Sequence, residues 1–107
     1  MIKPTTKFAE HKNLRIAYSV EGPKTGEAIV LQHGWTSEKE FFAAYAKAFV
    51  SAGFQCISID SLGHGESDKP NEAQPYARTE RAAHVVAVLN KEEIDKAHFI
   101  GYSMGGW

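Results

Sequence analysis

Three short apolar runs constrain this chain more than anything else in it. They are "AIVLQ" at Ala28–Gln32, "FQCISI" at Phe54–Ile59 and "AHFIGY" at Ala97–Tyr102. Each is too short for a helix and rich in branched or aromatic residues, so each reads as a strand: the first as one buried on both faces, the last as a further buried strand. The stretches between them carry apolar residues at helical spacing instead. After the first run, Phe41, Phe42, Tyr45, Ala48 and Phe49 fall on one stripe and are expected in the core. Ser37 and Glu40 form an S-x-x-E capping box at its start, and Gly53 stands where a glycine would end the helix. After the second run a helix is predicted from about Ala77 to Lys91, with Ala82, Val85, Val86 and Leu89 facing inward. Strand, helix, strand, helix, strand predicts a parallel sheet with right-handed crossovers.

Ahead of that series, Thr6 to Gly22 reads as two strands turning near Lys12-Asn13. Leu14, Ile16 and Tyr18 alternate there with Arg15, Ala17 and Ser19, as a strand with one buried face requires. "GPKTGE" (Gly22 to Glu27) is a loop by its glycine and proline content. The 107 residues suit one small domain or a piece of a larger one.

Composition excludes several classes of function. The net charge is -1 with no block of like charges, which argues against nucleic-acid binding and against a basic membrane-binding surface. No apolar run approaches the ~18 residues of a membrane span. "MIKPTT" has no apolar stretch behind it, so no secretory leader is expected. Cys56 is the lone cysteine, so no internal disulfide can form. A cytoplasmic location is the expectation.

In parallel sheets of this kind, ligands bind beyond the carboxyl ends of the strands. Three loops with chemical potential follow those ends: "HGW", "DSLGHGES" and "YSMGG". In the last, Gly101, Ser103 and Gly105 form G-x-S-x-G, a pattern that sets a reactive serine on a strained strand-to-helix turn. Small neighbours two positions away let strand and helix approach, and the Met104 N–H would face a developing oxyanion. The plain alternative is an ordinary glycine-rich turn. Asp60 could pass for a catalytic acid, but Gly63 and Gly65 beside it point to a structural turn, with Asp60 and Ser67 bonding loop backbone. "GHGESD" lacks the third glycine of a dinucleotide fingerprint, and no G-K-[ST] occurs. No His/Cys/Asp set has zinc-ligand spacing, so neither a metal nor a cofactor is expected.

Taken together, "VLQHGW", "IDSLGHGESD" and "FIGYSMGG" resemble, in order and spacing, the N-terminal half of the α/β-hydrolase superfamily, with esterase-like and peptidase-like serine hydrolases the nearest in pattern. The resemblance covers nearly the whole chain. It implies an antiparallel hairpin leading into a mostly parallel sheet with flanking helices, an α/β fold left incomplete, so that residues 1–107 form the N-terminal portion of a single domain ending just after the nucleophile elbow. It implies Ser103 as nucleophile, the backbone N–H groups of Trp35 and Met104 as the oxyanion hole, and His33, Gly34, Gly101 and Gly105 as residues that shape the site. The Trp35 ring either lines the substrate pocket or packs over the first helix. Members with Asp at the elbow open epoxides or carbon–halogen bonds; Ser103 favours acyl transfer to and from a small-molecule ester, thioester or amide. Alternatives on the same scaffold are a non-catalytic binding protein, and an acyltransferase, perhydrolase or carbon–carbon bond hydrolase with the same elbow.

The family's triad runs Ser, then Asp or Glu, then His. His11, His33, His64, His84 and His98 all precede Ser103, so none fits that order. His84 reads as a helix-surface residue and His98 as a strand-end residue. The expectation is a truncated or partial chain, or else a naturally short protein. Taken alone it should be inactive or nearly so, and inclined to dimerise or aggregate through the sheet edge at the Phe99 strand.

Overall fold

The computed structural model describes residues 5–33 and 39–102. Strands β1 (Lys7–His11) and β2 (Leu14–Glu21) form an antiparallel hairpin; β3 (Ala28–Gln32) leads through a 3₁₀ turn (Lys39–Phe42) into α1 (Ala43–Ser51). Strand β4 (Gln55–Ile59) follows, then a 3₁₀ turn (Gln74–Tyr76), α2 (Arg78–Lys91) and β5 (Ala97–Gly101). The hairpin turn is at the expected place: Lys12 and Asn13 both adopt positive φ, as a two-residue turn matched to strand twist demands.

The five strands form one sheet in the order β1-β2-β4-β3-β5. β2 meets β4 antiparallel, while β3 runs parallel to both β4 and β5. The order reverses at β3, since the chain steps one way to β4 and then back across to β5. Strand ends flanking such a reversal open the crevice where ligands settle in α/β sheets.

Why β3 and β4 are apolar throughout is plain from their alternation. Ala28 and Val30 join Ile57 and Ile59 in a core with Ile16, Tyr18 and Val88 of α2. Ile29, Leu31 and Cys56 point the other way, onto Phe42 and Ala46 at α1. Two faces, each covered by one helix, leave no solvent side for a polar residue to occupy.

Helix α1 ends as its glycine predicts. Gly53 has φ +97, its N–H bonds Val50 O, and the Phe54 N–H bonds Phe49 O, which together close a Schellman cap. The helix faces differ from expectation. Phe42, at the end of the 3₁₀ turn, and Ala46 of α1 are buried and Phe49 is half-buried, but Tyr45 is 61% exposed and Ala48 is exposed as well. Ser37 lies outside the described residues. In α2 the buried residues are His84 and Val88, with Val85 and Leu89 packed beside them, while Ala82 and Val86 face solvent. The stripe runs through position 84, not 82 and 86, because α2 lies on β1 and β2 as well as the central strands.

Strand β5 is apolar yet exposed: Phe99 is 49% and Ile100 37% accessible. It pairs only with β3, and among the described residues no helix covers it. Among the described residues it therefore ends the sheet, the exposed edge expected at the Phe99 strand.

Candidate active site

The strand ends lie level with one another. Gln32, the last residue of β3, is in register with Ile59 of β4 and Gly101 of β5. Beyond that line, the Tyr102 N–H still bonds Gln32 O at 3.1 Å. His33 and Tyr102 are therefore the last described residues on two adjacent parallel strands. Of the residues singled out by the sequence, His33 and Gly101 are described; Gly34, Trp35, Ser103, Met104 and Gly105 lie outside the described residues.

His33 is fully buried, and its Nε2 accepts the Ser61 N–H at 2.9 Å. That bond leaves the proton on Nδ1 and occupies the lone pair a general base would need. The His64 ring stands edge-on to it at 5.2 Å, held by Nδ1 contacting Leu62 O at 3.1 Å. His33 thus ties the end of β3 to the turn after β4.

The turn after β4 is built around Asp60. Its carboxylate is wholly buried and accepts the Lys39 N–H at 2.5 Å and the Glu66 N–H at 2.9 Å. The Lys39 ammonium lies 3.3 Å from Asp60 and 3.0 Å from Glu66. Ser67 Oγ donates to Asp60 O at 2.6 Å and accepts the Ala17 N–H at 2.7 Å. Asp68 and Arg15 exchange two further bonds, at 2.8 and 2.9 Å. Gly65 is obligatory, for at φ +52 a Cβ would come within 2.4 Å of the Asp60 carboxyl. Every polar group of Asp60 is thus engaged in shaping the turn, as a structural aspartate requires. Its side chain meets a cation that the sequence reading passed over. Lys39 is 4% exposed, and no local pattern announces a buried lysine whose partner is 21 residues away.

Other chemically capable groups are set aside by their surroundings. Burial, and next the charge of Glu21, pushes the Cys56 thiol up to about 11, so it offers no thiolate at neutral pH. Among the described residues no cluster of three or more His, Cys, Asp or Glu could hold a metal ion. None of the described helices is long and apolar enough to cross a membrane.

Residues 27–107 match a family signature described as the alpha/beta hydrolase fold. The chain belongs to the α/β-hydrolase family. A Bacillus subtilis protein bearing the name of a 2-succinyl-6-hydroxy-2,4-cyclohexadiene-1-carboxylate synthase is 32% identical over 95% of this chain and 36% of its own length. A non-heme chloroperoxidase of Burkholderia pyrrocinia is 33% identical over 88% of the chain and 33% of its own. Among solved structures, epoxide hydrolase A of Mycobacterium thermoresistibile superposes with a TM-score of 0.89 at 26% identity, covering 96% of this chain and 32% of that one. The chain spans about a third of the length of these α/β-hydrolase relatives. Their names cover different reactions, so membership fixes the scaffold and leaves the reaction to the residues at the strand ends.

Proposed function

We propose that this chain carries the nucleophile of a serine hydrolase acting on a small-molecule carboxylic ester, thioester or amide. Ser103 Oγ attacks the carbonyl carbon and loses its proton to a base. The carbonyl's bond to the leaving group breaks, and water then releases the acyl group from the serine. The backbone N–H groups of Trp35 and Met104 receive the oxyanion, and His33, Gly34, Gly101 and Gly105 shape the surrounding loops. No cofactor takes part. A cytoplasmic setting belongs to the same reading.

The register across β3 and β5 carries this proposal. Adjacent strands lie about 4.8 Å apart, and Gln32 is level with Gly101. The segments leading to Gly34-Trp35 and to Ser103-Met104 therefore depart from neighbouring points at the ligand-binding end of the sheet. His33 is unsuited to be the base because its Nε2 is engaged by Ser61. The base and its orienting acid are then an Asp or Glu and a His that follow Ser103 in the family's order, and the 107 residues alone should show little or no turnover.

A fluorophosphonate probe tests the assignment on the protein as its gene encodes it. Labelling that Ser103→Ala abolishes is the expected result; a folded protein whose Ser103 stays unlabelled would overturn the enzyme reading. The likeness to the chloroperoxidase favours a second reading, a perhydrolase using the same serine. Peroxide-dependent chlorination lost in Ser103→Ala would select it over simple hydrolysis.

A further inference from the structure

Beneath the ligand end of the sheet, on the α2 side, lies a cavity lined by Ile16, Gln32, Ile59, Leu62, Arg81 and His84, with Ser61 at its wall. It offers about 10 Å³ to the centre of a water molecule. That is close to the space one water needs, about 10–15 Å³.

Two of the polar side chains lining it are nearly sealed from solvent, Gln32 at 6% and His84 at 4% exposure. Each has a buried polar atom with no hydrogen-bond partner, Gln32 Oε1 and His84 Nε2. A buried polar atom left unpaired costs about 1–3 kcal/mol, and these two belong to side chains that line one small cavity. Ser61 Oγ accepts from Gln32 Nε2 and so keeps its own proton to donate.

We propose that this cavity is a binding site for one resident water molecule, bridging Gln32 Oε1 and His84 Nε2. The water donates one proton to Gln32 Oε1 and meets His84 Nε2 as donor or acceptor according to the imidazole tautomer. It completes a continuous relay: His84 on α2, water, Gln32 at the end of β3, Ser61 after β4, and the Ser61 N–H on His33 Nε2. Helix α2 is thereby coupled to the residue that precedes Gly34-Trp35. The importance of that coupling for catalysis rests on the serine-hydrolase reading, whereas the hydration site does not.

High-resolution crystallography of the wild-type protein and of His84→Leu and His84→Gln tests the site. The expected result is a density peak about 2.7–3.2 Å from both Gln32 Oε1 and His84 Nε2, lost in His84→Leu and retained in His84→Gln, whose amide still offers a polar atom. Amide exchange at Ser61 should be about tenfold faster in His84→Leu and near wild type in His84→Gln. A wild-type cavity without that peak overturns the proposal whether or not either variant folds. So does a peak that survives His84→Leu unchanged. Neither result bears on Ser103, which fluorophosphonate labelling tests separately.

Discussion

Strands β4 and β5 flank β3 in the same orientation, and their sequences look equally suited to a core. Their fates differ. Every residue of β4 is buried, and the turn after it is bonded to β2 and to Lys39; β5 exposes Phe99 and Ile100. Between them the apolar content is similar and the number of partners is not. β4 has a strand on both sides and a helix on both faces, whereas β5 has one strand and no described helix. Burial belongs to the arrangement, and composition only permits it.

The largest expected effect is at the turn. Asp60→Ala removes the acceptor for two backbone N–H groups and leaves the Lys39 ammonium buried without its sealed partner. A loss of about 3–5 kcal/mol should appear in denaturant unfolding. A loss below about 1 kcal/mol would mean that the turn is held by its backbone bonds alone and would weaken the contrast with β5.

His84 gives the next effect. Burial first, then the nearby His11 and Arg81 charges, with Glu80 opposing them, hold its pKa down at about 4 against an ordinary 6.5. The folded chain resists a proton that the unfolded chain accepts. Stability from this group is full above pH 6.5 and is lost as pH falls from there toward 4, a change on the order of 3 kcal/mol. Unfolding midpoints between pH 7 and pH 4.5 should fall less for His84→Gln than for wild type. Equal slopes would mean that bulk solvent reaches the imidazole in the folded chain and would remove α2 from the well-covered side of the molecule.

The sharpest test pairs two isoleucines. In the 107-residue chain, Ile57→Ala in β4 should cost about 2–5 kcal/mol, and Ile100→Ala in β5 under about 1 kcal/mol. Comparable losses would show that β5 is covered in solution and would collapse the distinction between the strands.

The positions of the strands were legible because their signals are local: β-branched runs, the Lys12-Asn13 turn and the Gly53 cap all act within a few residues. So was the role of Asp60, since Gly63, Gly65 and Ser67 at fixed offsets specify a turn. Exposure was harder to read. Which side of α2 faces inward depends on strands far away in the chain, and so His84 and Val88 are buried while Val86 is not. The Lys39–Asp60 pair was invisible for the same reason. At the candidate site the sequence supplied the motif, and the register of β3 and β5 supplied the proximity of the two segments leading to it.

One consequence follows from the way the Asp60 turn is fastened. Ser67 and Asp68 are tied to Ala17 and Arg15, within a hairpin that lies ahead of the family-matched stretch at residue 27. Trimming the polypeptide to that stretch would take away the turn's bonds to Arg15 and Ala17 while leaving every signature residue in place. Domain boundaries drawn from family resemblance alone would cut away the part that keeps this rim of the molecule in shape.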